Sequence, residues 1–204
     1  MSDSKALIVA VTGASGAIYA TRTMRALLSA GHHVHLVLSK YGRYVMHEEL
    51  GWEPDSEPIV DFLARTEGED VRAGSLEEHS VNDLTRSIAS GSSIVGGMIV
   101  VPCSAKTLSG IAHGSSSNLI ERSADVVLKE RQPLVLVVRE TPLNLIQLRN
   151  MVAVAEAGAV VLPAMPAFYQ KPKSFDDLGD FIAGRALSLL GLHHELFEPW
   201  KGPE

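Results

Sequence analysis

Apolar residues fall along this chain in short unbroken runs, separated by longer stretches with helical spacing. Residues 7–11 (Leu-Ile-Val-Ala-Val) form the first run. Uninterrupted apolarity of that length marks a strand buried on both faces of a parallel sheet. The same reading predicts strands over 34–38, 97–101, 134–138 and 159–162, with Pro102 ending the third of the five. Helical spacing predicts a helix over about 18–30, one through Met46 and Glu49, and two over about 104–112 and 118–131. A further helix is expected to open at Pro142 and end at Gly158, and the closing one runs from the cap Ser174 to about residue 190.

Strands that alternate with helices predict a parallel sheet with helices on both faces, a three-layer Rossmann-like (flavodoxin-like) architecture. Strand order is not legible in the pattern. Residues 51–93 break the alternation: they are polar, with acidic clusters at 67–70 and 77–78 and a short helical pattern near 59–65. So long a stretch rarely stays structureless inside a compact domain. It reads as an excursion with short elements and a candidate oligomer contact. The chain is otherwise expected to be one domain over 1–204, with a tail from about 191 to 204.

Composition narrows the class. At 46% hydrophobic and 21% charged residues, disorder of the whole chain is excluded. The net charge of −6, with no basic block, argues against nucleic acid as a partner. Cys103 is the only cysteine, so no internal disulfide forms and a reducing cytoplasmic location fits. The apolar run at 7–11 is too short for a secretory segment or a membrane span.

The polar motifs follow the predicted strands. In an open α/β sheet the ligand crevice lies outside the carboxyl ends of the strands, so these motifs can share one site. The turn Thr-Gly-Ala-Ser-Gly-Ala (12–17) offers glycines for close backbone approach, the Ser15 hydroxyl and a following helix N-terminus; it suits a phosphate, or else is a tight turn without a ligand. It lacks the Gly-Lys-Ser/Thr of a Walker loop. Ser39 stands where a dinucleotide site wants an acidic residue, which favours a flavin mononucleotide over NAD. Arg122 and Lys129 lie seven apart on one helix face, and Arg139-Glu140 follows a buried strand. These three cations are candidates for a second phosphate; for Arg122 and Lys129 the alternative is solvated pairing with Glu121, Asp125 and Glu130.

Asp176-Asp177-x-x-Asp180 spells a diphosphate–magnesium motif, but acidic residues behind the cap Ser174 are ordinary first-turn chemistry. Neither it nor the histidines (His33 and His35 alternate on a strand, His193 and His194 lie near the end) is expected to hold a metal. Cys103 reads as a small buried residue rather than a nucleophile.

Together these residues resemble the UbiX-type flavin prenyltransferases. The resemblance runs through 12–17, Ser39-Lys40, Pro-Cys-Ser-Ala-Lys-Thr-Leu-Ser-Gly-Ile-Ala (102–112), Asn-Leu-Ile-Glu-Arg-Ser-Ala-Asp-Val (118–126), Leu-Lys-Glu (128–130), Arg-Glu-Thr-Pro (139–142), Asn-Met (150–151), Pro-Ala-Met-Pro-Ala-Phe-Tyr (163–169) and Arg185. It implies an enzyme that joins a dimethylallyl group from a monophosphate donor to N5 and C6 of reduced FMN. The product, prenylated FMN, would serve a UbiD-type decarboxylase, with ubiquinone biosynthesis among the receiving pathways. It further implies that Gly13, Ala14, Ser15, Ser39, Ser104, Ala105, Lys106, Thr107 and Arg139 hold FMN. Arg122, Lys129, Tyr169 and Arg185 would grip the prenyl phosphate. Glu140, with Ser15 and Glu49, would serve catalysis without a metal. Trp200 matches an aromatic position of the family's tail less firmly. The family forms homo-dodecamers with sites at subunit junctions, so the four phosphate ligands need not come from one chain.

Two rivals are set against this reading. An FMN-dependent cysteine decarboxylase of related fold would want a histidine after the first helix and Pro-x-Met-Asn, whereas Pro166 follows Met165 here. A non-catalytic FMN carrier has no need of Arg122, Lys129, Glu140, Tyr169 and Arg185 together.

Overall fold

Six parallel strands form the centre of the computed structural model, which describes residues 5–93, 95–198, 200 and 202. They are β1 (Leu7–Val11), β2 (His33–Leu38), β3 (Ser75–Ser80), β4 (Gly97–Cys103), β5 (Leu134–Val138) and β6 (Val160–Pro163), in the order β3-β2-β1-β4-β5-β6. Every neighbouring pair is parallel. β1, β4 and β5 are buried along their whole length, which is why they read as continuous apolar runs.

Among the described residues, seven α-helices cover the two faces: α1 (Ala17–Ser29), α2 (Lys40–Leu50), α3 (Ile59–Glu67), α4 (Ala105–Ala112), α5 (Leu119–Lys129), α6 (Leu145–Glu156) and α7 (Phe175–Leu189). Alternate residues of a strand point to opposite faces. Val9 and Val11 therefore meet Met24 of α1, Phe62 of α3 and Ile182 of α7 in one core. Ile8 and Ala10 meet Leu108 of α4, Ala124 of α5 and Val154 of α6 in the other. The predicted three layers are what the chain forms.

Three expectations need correction. The excursion at 51–93 contributes β3, an edge strand reading Ser-Leu-Glu-Glu-His-Ser. It is mostly exposed, so it carries no apolar run. Pro102 does not end β4, which continues to Cys103 through an irregular register, because a strand position with no ladder bond to donate tolerates proline. The sixth helix does not open at Pro142. Asn144 caps it, accepting from Gln147 N while the Gln147 side chain accepts from Asn144 N, both at 2.9 Å, and this reciprocal cap sets the start. In the expected tail, Pro199, Lys201, Pro203 and Glu204 lie outside the described residues.

The acidic motif near the end has a structural use. Asp177 completes a capping box with Ser174. Asp180 takes a two-pronged ion pair from Arg22 of α1 at 2.6 Å, and Glu67 of α3 adds a third contact at 2.7 Å. Burial works against the Arg22 charge, but Asp180, Glu67 and Asp176 hold its pKa above the ordinary value. Gly179 admits this packing, since a Cβ there would fall 2.7 Å from Arg22 Cγ. On the outer side of α6, Leu145, Ile146, Leu148 and Val152 are exposed. No helix among the described residues is long and apolar enough to cross a membrane.

Candidate functional site

The strand order reverses between β1 and β4, and a cavity of about 560 Å³ opens there outside the carboxyl ends. Gly13, Ser39, Lys40 and Tyr41 form one wall, and Ser104, Ala105, Lys106 and Thr107 another. Glu140, Asn118 and Glu121 close it from β5 and α5.

Thr12 fixes the first two of these walls to each other. It is buried; its Oγ1 donates to the Pro102 carbonyl at 2.7 Å and accepts from the Ser104 N–H at 2.8 Å. The motif at 12–17 includes Thr12, but its spelling gives no sign of this role. Close packing continues behind it. A Cβ at Gly13 would lie 2.3 Å from Tyr41 Cβ, and one at Gly42 would lie 2.3 Å from the Val11 carbonyl oxygen.

Two helix N-termini face the cavity. Ser39 caps α2 by accepting from Gly42 N at 2.9 Å, and Ser104 caps α4 by accepting from Thr107 N at 3.3 Å. The preceding N–H groups of each first turn have no intrahelical acceptor. With Lys106 beside them, they suit an anionic phosphate.

The glycine-rich turn behaves differently from expectation. The N-terminus of α1 is already taken by a carboxylate of the same chain: Glu49 Oε2 accepts from Gly16 N at 2.9 Å and from Ala17 N at 2.8 Å. The phosphate-ready amides are therefore those of α2 and α4, and Glu49 sits where an anion was expected. Gly16, at φ 108°, supplies the left-handed turn that presents those amides. Ser15 is exposed beside it and Ala14 is buried. Tyr19, one turn along α1, is a residue the sequence reading missed. Its ring lies over Gly16, and its phenol is raised above the ordinary tyrosine range by burial, with Arg139 pulling it down and Glu49 pushing it up. No spacing signal singled it out.

Arg139 is half-buried at the end of β5, its N–H donating to the Cys103 carbonyl at 3.2 Å. Glu140 is exposed, and its Oε1 accepts from the Thr141 N–H at 3.0 Å. Cys103 itself is fully buried, which pushes its thiol up to about 12 and leaves it inert at neutral pH.

The four expected phosphate ligands do not meet within one chain. Arg122 and Lys129 do share a face of α5, but that face turns to residues 87–91 and not into the cavity. Arg122 donates to the Ala89 carbonyl at 3.1 Å and pairs with Asp125 at 2.8 Å. Lys129 pairs with Glu130 at 2.6 Å and lies against Gly91. Of the three acidic partners considered for them, Glu121 goes elsewhere: it is buried and accepts from the Ser117 N–H and hydroxyl. Tyr169 and Arg185 line a separate cavity of about 530 Å³. Trp200 stands there too, its ring 5.2 Å from that of Tyr169 in an edge-to-face contact.

The chain matches the Flavoprotein family over residues 1–187. It is 49% identical over 194 residues to a flavin prenyltransferase UbiX of Halalkalibacterium halodurans, covering 94% of this chain and 91% of that one. Its fold is similar to the crystal structure of AnUbiX (PadA1) in complex with FMN and dimethylallyl pyrophosphate, with TM-score 0.86, 42% identity and coverage of 98% and 100% of the two chains. It is similar as well to a dodecameric FMN-dependent UbiX-like decarboxylase from Escherichia coli O157:H7, with TM-score 0.85, 38% identity and coverage of 97% and 100%.

Proposed function

The chain belongs to the UbiX-type flavin prenyltransferases of the flavoprotein family, and on that premise we propose that it joins the dimethylallyl group of dimethylallyl monophosphate to N5 and C6 of reduced FMN. It is a prenyltransferase, and FMN is its flavin. The observation that carries the finer reading is the crevice: family-matching residues from four separated segments, at 13, 39–40, 104–107 and 140, line one cavity.

That cavity fits FMN. Its volume lies in the range of small-molecule sites, roughly 300–1,000 Å³. Two serine-capped helix N-termini and Lys106 offer donors to a terminal phosphate. Reduced FMN, bound as a substrate, would supply N5 and C6: one bond to the five-carbon unit replaces the donor's carbon–oxygen bond to phosphate with loss of the N5 proton, and the other opens the donor's carbon–carbon double bond, which takes up a proton as C6 gives one up. The remaining work belongs to the chain. Arg122, Lys129, Tyr169 and Arg185 supply donors for the departing phosphate without a metal. Glu140, steadied by the Thr141 N–H, is the carboxylate that takes the proton leaving C6, with Ser15 beside the turn. Glu49 is fixed on the α1 amides, beside the turn that carries Ser15.

Since Arg122 and Lys129 lie apart from Tyr169 and Arg185, the donor pocket is completed where subunits of a homo-oligomer meet, a dodecamer by analogy with the E. coli relative. The product would serve a UbiD-type decarboxylase, in ubiquinone biosynthesis or aromatic-acid degradation, and the single cysteine keeps the cytoplasm as the expected compartment.

The test is anaerobic incubation of the protein with reduced FMN and dimethylallyl monophosphate, without added metal, followed by mass spectrometry of the bound flavin. A gain of one five-carbon unit is expected. Unaltered flavin in a loaded, folded protein would return the choice to a carrier or a cysteine decarboxylase.

A further inference from the structure

Outside the flavin crevice, the edge of the sheet gathers three histidines and a carboxylate. His33 and His35 lie two apart on β2, on the face shared with Val37. In the ladder Ser75 pairs with His33, Glu77 with His35 and His79 with Val37. The sequence alone puts His33 and His35 two apart on one strand and expects no metal there; β3, which brings Glu77 and His79 beside them, has no apolar pattern to announce it.

We propose that His33, His35 and Glu77, backed by His79, bind one divalent cation of the zinc class. One ligand atom from each of the first three lies within 4.8 Å of the other two. A tetrahedral ion with bonds of roughly 2.0–2.1 Å wants its ligands about 3.3 Å apart. The exposed Glu77 and half-exposed His33 side chains have room to adjust toward that spacing. Imidazole with carboxylate suits zinc, nickel or copper rather than magnesium or calcium.

The outer partners of such a site are already in place. His33 Nδ1 is 2.7 Å from Ser75 Oγ, and His35 Nδ1 is 2.9 Å from His79 Nε2. Both rings are thus held through Nδ1; Glu77 Oε2 stands 3.5 Å from His35 Nδ1, so a metal on Nε2, the usual arrangement of ligating histidines, requires the carboxylate to swing past the ring. Within the described residues, His79 is 2% exposed and its Nδ1 has no hydrogen-bond partner. Glu77 Oε1 stands 3.7 Å from it. If Glu77 Oε2 moves onto the cation, Oε1 comes within reach of His79 Nδ1–H, and the orphaned donor is satisfied. One tautomer set then serves every atom: His35 Nδ1–H donates to His79, and His79 Nδ1–H donates to Glu77.

The test uses tag-free protein stripped with EDTA, then titrated with Zn²⁺ by calorimetry and with Co²⁺ by visible absorption. One ion per chain is expected, with the absorption of low-coordinate Co²⁺. His33→Gln and Glu77→Gln should each weaken binding about tenfold or more. His79→Gln should weaken it while keeping one ion per chain, and His113→Gln, on the exposed end of α4, should change nothing. Retained FMN and an unaltered circular dichroism spectrum report the fold of each variant. No saturable binding, or binding that survives both His33→Gln and Glu77→Gln, would overturn the assignment. Both substitutions are at the surface, so if one variant fails to fold, the other decides.

Discussion

The flavin crevice and the proposed donor-phosphate residues are built in opposite ways. The crevice takes its walls from consecutive strand ends of one chain, stapled by Thr12 and by two serine caps. The donor residues are dispersed: two cations on α5 already hold carboxylate partners, and Tyr169 and Arg185 line another cavity. A parallel sheet places its carboxyl ends together by construction, so the first kind of site needs only the fold. On the proposed reading, the second kind needs a further copy to bring its parts together. The contrast teaches that flavin binding and prenyl transfer have separable structural requirements.

Glu140 stands at the seam and gives the sharpest probe. Glu140→Gln should leave FMN binding intact and slow prenylation by at least about a hundredfold in single-turnover measurements. Equal turnover would remove Glu140 from the chemistry. The crevice side is tested by Thr12→Val, which keeps the shape but leaves the Ser104 N–H without its acceptor. We expect a loss of about 1–3 kcal/mol in denaturant unfolding, together with lower FMN occupancy. On the donor side, Arg185→Ala should raise KM for the prenyl phosphate roughly tenfold or more and spare FMN affinity, since a charge-assisted hydrogen bond contributes about 1.5–3 kcal/mol. Equal weakening of both ligands would break the division. Mixed oligomers of Lys129→Ala and Arg185→Ala subunits, each impaired alone at low prenyl phosphate, should restore roughly a quarter of the sites to wild-type behaviour if one junction draws the two residues from different subunits. No recovery would mean that no junction draws the two from different subunits. The smallest effect is expected at Cys103: thiol reagents should label it at background rate at neutral pH until the protein unfolds, because its thiol is pushed up to about 12.

The same division governs how much the sequence disclosed. Buried strands announce themselves, and the five apolar runs located five strands and, through their ends, the crevice. β3 was illegible because an edge strand with an exposed Glu77-Glu78 pair has no apolar pattern to show. The start of α6 was misplaced because Pro142 competes as a signal with the stronger Asn144–Gln147 cap. Within the site, residue type and position led to Ser39, Ser104 and Lys106, which line the crevice. They did not reveal that Glu49, far along the chain, occupies the α1 amides, since a long-range partner leaves no local trace. Helical spacing correctly put Arg122 and Lys129 on one face but gave no means of telling which way that face turns.

The exposed strand β3 has a consequence at the scale of the assembly. A sheet grows when an open edge recruits another strand, and this protein blunts both of its edges. β3 carries Glu77 and Glu78, and Arg43 reaches across to Glu78. At the far side β6 is only four residues long and finishes in Pro163. Charge, brevity and proline are the means by which proteins keep sheets from fusing into fibrils. What remains open and apolar is helical, such as the exposed side of α6, so the sheet itself offers no seam along which copies could extend into an endless ribbon.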